Sequence, residues 1–269
     1  MSDTFTHRFG GWNEAEARRW TNPDGSEGGI VATSASIDKG IRIPSSAEVW
    51  PNSKIIGPRA SIGDGASIGY DASIGDDASI GDGASIGDGA SIGPGASIGP
   101  GASIGPRASI GPRASIGDGA SIGYGASIGY DASIGDGASI GDGASIGYGA
   151  FIGDGASIGP RASIGPRASI GDGASIGPRA SIEKEDWLFV AGPQGSRKAW
   201  TTVTWSAEHG LRWWVGCQHG LSSADLLTRV NHEYPAGHPH GDDYRYLIRM
   251  VEEHPGLARH KAAAAEQVS

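Results

Sequence analysis

From Ile56 to Ile182 an isoleucine recurs at every sixth position, twenty-two times without a break, and the intervening residues follow one formula, Ile-Gly-x-x-Ala-Ser. Six residues are too few for a helix–turn–helix unit. So short a period describes a coil in which each segment is one short strand and one corner. Within Ala-Ser-Ile-Gly, strand alternation puts Ala and Ile on one side and Ser on the other. Ile fills the interior and Ala leaves room for the chain to turn. The Gly and the two variable positions build the corner, where Asp-Gly, Pro-Gly, Tyr-Gly and Pro-Arg occur. A glycine in the corner suits a positive φ, so Arg59, Asp71, Asp77 and Arg107, which replace it, predict strain or a different corner type. The period begins before the perfect array, because Val31, Ile37, Ile43 and Val49 are already six apart, which makes twenty-six hexapeptides. The step from Val49 to Ile56 is seven residues, which predicts one extra residue in a widened corner near Pro51-Asn52-Ser53.

The flanks differ in kind. Residues 1–30 read as a polar, irregular cap with Trp12 and Trp20 as its bulky anchors. After Ile182 the charged break Glu183-Lys184-Glu185-Asp186 ends the repeat, and Trp187, Trp200, Trp205, Trp213 and Trp214 follow within a short span. Trp187–Val190, Trp200–Trp205 and Leu211–Cys217 predict three strands, the last two joined as a hairpin at Glu208-His209-Gly210. Ser222-Ser223-Ala224-Asp225 predicts the start of a helix carrying Leu226, Leu227 and Val230. A second helix is expected from about Asp242-Asp243, with Tyr246, Leu247, Met250 and Val251 on one side. After Pro255 the Ala-rich end is expected to fray. The division is therefore a cap over 1–30, a coil over 31–182, a small α+β domain over 183–256 and a flexible tail over 257–269.

Composition narrows the function classes. Forty-seven glycines on a strict period mark corners and not disorder. A net charge of −9 argues against a nucleic-acid or anionic-membrane partner recruited by bulk electrostatics. One cysteine, Cys217, excludes an internal disulfide framework and fits a reducing compartment. No apolar run reaches the ~20 residues that cross a bilayer, and the N-terminus lacks the apolar stretch of a secretory signal. The cytoplasm is the expected location.

The repeat over residues 31–182 resembles that of the hexapeptide-repeat proteins, the left-handed parallel β-helix family. The resemblance implies a triangular prism with three hexapeptides per turn and left-handed crossovers, a hand that periodicity alone would not give. The expected fold class is therefore an all-β left-handed parallel β-helix of about eight to nine turns, roughly 40 Å long at the ~4.8 Å strand spacing, with a small C-terminal α+β domain. Each buried Ile should contribute about 1.5–3 kcal/mol before entropy is counted. The array's uniformity is also a hazard, since a slip of one hexapeptide moves Ile onto Ile, so the register must be fixed at the ends. Three repeats per turn also sort the corners. One edge stacks Asp64, Asp82, Asp118, Asp136, Asp154 and Asp172; Arg59, Arg113 and Arg167 share a second, and Arg107, Arg161 and Arg179 the third. Tyr130 and Tyr148 become vertical neighbours.

Family enzymes are mostly acyltransferases that use a histidine base in a cleft between coils, often beneath a protruding loop. This chain departs from that pattern: its histidines stand at 7, 209, 219, 232, 238, 240, 254 and 260, outside the coil, and no insertion interrupts the array after Ile56. Other chemistries are weaker still. Carboxylates ~4.8 Å apart could share Ca²⁺, although solvated corners that favour Asp-Gly explain the acidic edge as well. The flat Ser face lacks the Thr methyls of ice-binding β-helices. Phe151, standing where the repeat has Ser, could mark an oligomer contact. Cys217, His219, His232, His238 and His240 match no standard zinc spacing, and no local sequence supports a Cys–His nucleophilic pair.

Gly192-Pro193-Gln194-Gly195-Ser196-Arg197, Thr201-Thr202, Gly216-Cys217, Gly220-Leu221, Val230, His232 and Tyr246–Ile248 resemble a tail module found on bacterial hexapeptide-repeat proteins. Such a domain can cap the open end of the coil, whose unpaired backbone groups would otherwise invite polymerisation. The sequence thus predicts a structural or interaction protein, a rigid rod with no catalysis in the coil. The alternative is an acyltransferase-like protein with its site between subunits or in the C-terminal domain, where Arg197, Cys217 and His232 are the candidate residues. No cofactor and no metal are expected. The partner expected is a second or third copy of the chain, packed through the prism faces; nucleic acid and membrane are not.

Overall fold

The structure, a computed structural model, describes residues 4–10, 13–57, 59–182, 187–194, 199–206, 210–215 and 218–266. The repeat folds as a left-handed parallel β-helix of about eight turns. Each Ser-Ile pair is a two-residue strand, and partners in adjacent turns are eighteen residues apart, as in Ser85↔Ser67 and Ile86↔Ile68. Three sheets result. Face A carries Val31, Val49, Ile68 and every eighteenth residue to Ile176; face B carries Ile37, Ile55, Ile74 and so on to Ile182; face C runs from Ile62 to Ile170. Their Ala and Ile side chains form one continuous core along the rod.

The register differs from the sequence expectation at one point. Ile55 is fully buried and pairs with Ile37 and Ile74, whereas Ile56 is 53% exposed. The spacing of six therefore continues from Val49 to Ile55, and the seven-residue step falls between Ile55 and Ile62. Ile56 is the extra residue, set just before the corner that Gly57 opens. Two consecutive isoleucines look alike to a periodicity; only the pairing decides which one faces inward.

From Gly63 to Ala180 each corner is a four-residue turn closed by a backbone hydrogen bond, such as Ala120 N–H to Gly117 O at 3.3 Å. Its third residue has positive φ, the mark of a type II turn. Gly119 stands there at φ 63°, and Arg107, Arg113, Arg161, Arg167 and Arg179 take the same conformation at 57–60°. At Asp71, Asp77 and Arg107 the expectation of strain or a different corner is thus resolved: the corner type is kept, and a non-glycine residue bears the left-handed backbone at φ 55–58°. The glycine after each Ile serves another purpose. A Cβ on Gly99 would lie 2.7 Å from Asp118 N in the next coil, so the coils stack this closely only without a side chain.

Residues 4–32 are not irregular. They form β1 (Thr4–Phe9), β2 (Asn13–Thr21) and β3 (Glu27–Ala32), an antiparallel unit that joins face A where β3 pairs in parallel with Glu48–Val49. Buried Asn22 finishes the first turn, its Oδ1 accepting the Ile43 N–H at 2.9 Å. The Trp20 indole donates to Ile41 O at 3.1 Å. Phe9, Ala17, Ala32 and Trp50 pack together, so the β1–β2 hairpin lies back over the start of face A.

At the other end, β4 (Trp187–Gln194), β5 (Ala199–Ser206), β6 (Gly210–Val215) and β7 (Gln218–Leu221) form an antiparallel sheet, one strand more than expected. Helices α1 (Ser223–Glu233), α2 (Pro239–Glu252) and α3 (Pro255–Glu266) follow. Ser222 caps α1 by accepting the Asp225 N–H at 3.1 Å. Helix α2 starts at Pro239, earlier than expected, and buries Tyr244, Leu247, Ile248 and Val251, while Tyr246 is 68% exposed. The segment expected to fray is α3, and its Leu257 is fully buried. Strand alternation on β6 splits two tryptophans. Trp213 enters the domain's own core, and Trp214 packs against the last coil.

Candidate functional site

The prism's edges are its most differentiated surface. On the edge between faces C and A six aspartates open corners, and the carboxylates of four of them accept the backbone N–H of the corner residue eighteen positions earlier. Asp82 accepts from Asp64 at 2.8 Å, Asp136 from Asp118 at 2.9 Å, Asp154 from Asp136 at 2.9 Å and Asp172 from Asp154 at 3.1 Å. The same bond recurs on the edge between A and B, where Asp88 and Asp142 accept from Tyr70 and Tyr124. Corner carbonyls are used as well: Asp118 O accepts the Gly137 N–H at 2.8 Å. These six carboxylates therefore work as part of the stacking, with an oxygen committed to backbone. Among the described residues no group of three His, Cys, Asp or Glu could hold a metal ion.

The edge between B and C carries a different column. Arg113 grips Asp131 with two hydrogen bonds of 2.9 and 2.7 Å and lies over Tyr130 at 4.6 Å from the ring centre. Tyr130 stacks on Tyr148 with ring centres 5.5 Å apart, and Arg167 covers Tyr148 from beyond. Lower down, Arg59 pairs with Asp76 and Asp77 at 3.1 and 2.7 Å. The hydrogen bond from Arg59 holds the Asp76 carboxyl below its ordinary range. The faces of both tyrosine rings are taken, so this column is a closed stack and not a ligand platform.

One histidine does reach the coil. The hairpin lays His7 of β1 against Glu48, the outward residue of a coil strand on face A, with Nε2 3.1 Å from Oε1. Both side chains are partly exposed. Phe9 meets the His7 ring edge-on at 4.8 Å, and Phe5 lies on its other side at 6.3 Å. Nearby, the buried Trp50 Nε1 has no hydrogen-bond partner. A carboxylate that accepts from Nε2 fixes the imidazole's orientation and leaves Nδ1 as its basic nitrogen. Sequence reading placed His7 in an irregular cap and missed this pair. The signal available was the Gly10-Gly11 dipeptide between two strand-like runs, a hairpin mark.

Of the three C-terminal candidates, Arg197 and Cys217 lie outside the described residues. His232 is exposed in the last turn of α1. His238 and His240 lie 5.5 Å apart beside Tyr234, and the buried His238 Nδ1 lacks a partner.

A family model described as "Bacterial transferase hexapeptide (six repeats)" matches residues 83–116 and 149–184. No curated protein matches the chain. Among solved structures, the UDP-N-acetylglucosamine O-acyltransferase of Moraxella catarrhalis RH4 is 19% identical over 85% of this chain and 93% of its own, with a TM-score of 0.42. LpxA of Acinetobacter baumannii is 17% identical over 79% and 93%, with a TM-score of 0.45. The acetyltransferase domain of PglB from Neisseria gonorrhoeae FA1090 is 21% identical over 48% of this chain, with a TM-score of 0.35, and this chain spans 53% of that domain's length. Six-residue period, eighteen-residue turn, inward isoleucines and the match to the repeat agree: the array belongs to the hexapeptide-repeat family of left-handed β-helices.

Proposed function

We propose that the protein is an acyltransferase-like hexapeptide-repeat protein whose prism is the scaffold and whose base is His7, oriented by Glu48. The observation that carries this reading is the 3.1 Å contact between a hairpin histidine and a coil carboxylate. The transferase description of the matching family model supports it. In such a step the acceptor's O–H or N–H proton passes to His7 Nδ1 as the acceptor atom bonds to the acyl carbon. The bond to the thioester sulfur breaks, and the sulfur takes that proton from His7 Nδ1 and leaves as the thiol, which restores the base. The test is thiol release from short- and long-chain acyl-CoA in the presence of amino-sugar or alcohol acceptors. His7→Gln should cut acceptor-dependent release about a hundredfold or more, with circular dichroism unchanged. Release that survives His7→Gln at full rate sinks the assignment.

The second reading is a structural or interaction rod, and a specific observation favours it. From Ile62 to Ile182 the repeats run without any insertion, and six corner carboxylates are spent on coil stacking. Under this reading the full chain turns over no acyl donor, and its measurable property is association. Self-association through the prism faces belongs to both readings.

A further inference from the structure

Five corner arginines hold a left-handed backbone, Arg107, Arg113, Arg161, Arg167 and Arg179, at φ 57–60°. Glycine adopts that conformation at lower cost, so what each arginine side chain does there is informative. Three make a contact within the rod. Arg113 pairs with Asp131, Arg107 lies 5.7 Å from the Tyr124 ring centre, and Arg167 lies 5.5 Å from that of Tyr148. Arg161 and Arg179 are different. Both are exposed, and among the described residues neither side chain has a hydrogen bond, ion pair or ring contact. The stacking of the corners explains why. Above Arg113 stands Tyr130-Asp131 and above Arg107 stands Tyr124-Gly125, whereas above Arg161 stands Pro178-Arg179.

The two unpartnered arginines are therefore vertical neighbours at the top of the edge between faces A and B. Arg161 N–H donates to Asp142 O at 2.9 Å and Arg179 N–H to Pro160 O at 3.0 Å, which sets their backbones one coil, ~4.8 Å, apart. The Trp214 indole donates to Arg179 O at 3.2 Å, so the upper corner is also fixed from the C-terminal sheet. Asp142, the carboxylate below them on this edge, has Oδ1 on the Tyr124 N–H at 2.8 Å. Like charges directly opposite one another destabilise a sheet pair, and an anion between them reverses the sign. We propose that Arg161 and Arg179 form a binding site for a phosphate group, free or carried as a monoester. A carboxylate has two oxygens, and one guanidinium fork satisfies both. A phosphate dianion has more acceptor oxygens than one fork can fill and takes two forks at once, neutralising both charges. The site lies six coils along face A from Glu48, ~30 Å away, so it does not depend on the His7 reading.

The experiment uses the full chain. The arginine side-chain Nε–H signals are followed by NMR as inorganic phosphate is added at constant ionic strength and mildly alkaline pH, where phosphate is a dianion. Arg161 and Arg179 should shift together and saturate, while Arg59 and Arg113, held by their own aspartates, stay in place. Arg161→Gly installs the commonest residue of this corner position and should hold the fold at least as well, so a lost response reports the site and not unfolding. It should raise the half-saturating phosphate concentration at Arg179 about tenfold or more, and Arg179→Gly should do the same at Arg161. Glycerol 3-phosphate then separates the two sources. Tighter binding than inorganic phosphate marks a phosphoryl group on a larger molecule; equal or weaker binding marks phosphate itself. Shifts that are absent, spread evenly over all arginines or no larger than those caused by acetate overturn the inference. So does a half-saturation that Arg161→Gly leaves unchanged.

Discussion

The Asp136 carboxylate accepts the backbone N–H of Asp118 at 2.9 Å, across eighteen residues of sequence and one coil of height. The first variable corner position is Asp, Pro or Tyr from residue 58 to residue 178. Where Asp there stands eighteen positions after Asp or Tyr, its carboxylate is short enough to receive that residue's N–H, as at Asp82, Asp88, Asp136, Asp142, Asp154 and Asp172.

Removing that acceptor should cost about 0.5–1 kcal/mol, the net worth of one exposed hydrogen bond. Asp136→Ala should speed amide exchange at Asp118 specifically. Asp136→Asn, which keeps an acceptor oxygen, should leave the exchange rate near the parent's. Equal exchange in both variants and the parent would show that the bond is not made in solution.

Arg161 sits at φ 60° with a full side chain. A left-handed L-residue costs roughly 1–2 kcal/mol, and glycine gives back part of that as unfolded-chain entropy. Arg161→Gly should therefore stabilise the rod by about 0.5–1 kcal/mol, read as a higher guanidinium midpoint. In the opposite direction, Gly117→Ala places a methyl 2.6 Å from Asp136 N and should destabilise by about 3 kcal/mol.

Asp76 is held below the ordinary carboxylate range, chiefly by its hydrogen bond from Arg59. A carboxyl whose pKa is depressed by folding contributes stability that is complete above its unfolded value. That contribution is lost as pH falls through the folded value. The Arg59–Asp76 contact should accordingly be intact at neutral pH and fade only in acid below the normal Asp range. Carbon-detected NMR titration should show the Asp76 carboxyl rising toward its ordinary value in Arg59→Gln. No movement would mean that the guanidinium does not set it.

Thr202 ties the C-terminal sheet to the coil's open end. Its Oγ1 accepts the Gly177 N–H at 3.1 Å and donates to Ser175 O at 3.2 Å. The Trp214 indole donates to Arg179 O at 3.2 Å. Thr202→Val keeps the shape and leaves both coil groups unpaired, at about 1–3 kcal/mol. Limited proteolysis should then cut between Ile182 and Trp187 faster than in the parent. An unchanged cutting rate would mean that the threonine does not hold the domain down.

The coil was legible because one physical event, Ile entering a narrow core, recurs at fixed spacing. The single misreading within it, Ile56 for Ile55, arose where two apolar neighbours gave the period a choice that inter-coil pairing alone resolves. The corner rule was half legible. Sequence folding assembled the acidic edge, but linking Asp136 to Asp118 required knowing which N–H points upward. Helix α2 was misphased because Tyr246 and Tyr244 both suit an amphipathic face, and tertiary packing chose the latter. His7 was least visible, since its partner Glu48 lies forty-one residues away and meets it through a hairpin fold-back.

Both end units of this rod attach to face A: the hairpin through β3 at its start, and the C-terminal sheet through Thr202 at its finish. A single added hexapeptide would turn the last coil by a third of a revolution and present the C-terminal sheet with another face. Three added together would return it to the same bearing, one storey higher. The molecule can thus change height only in whole storeys, and related chains of different length should differ by multiples of eighteen residues.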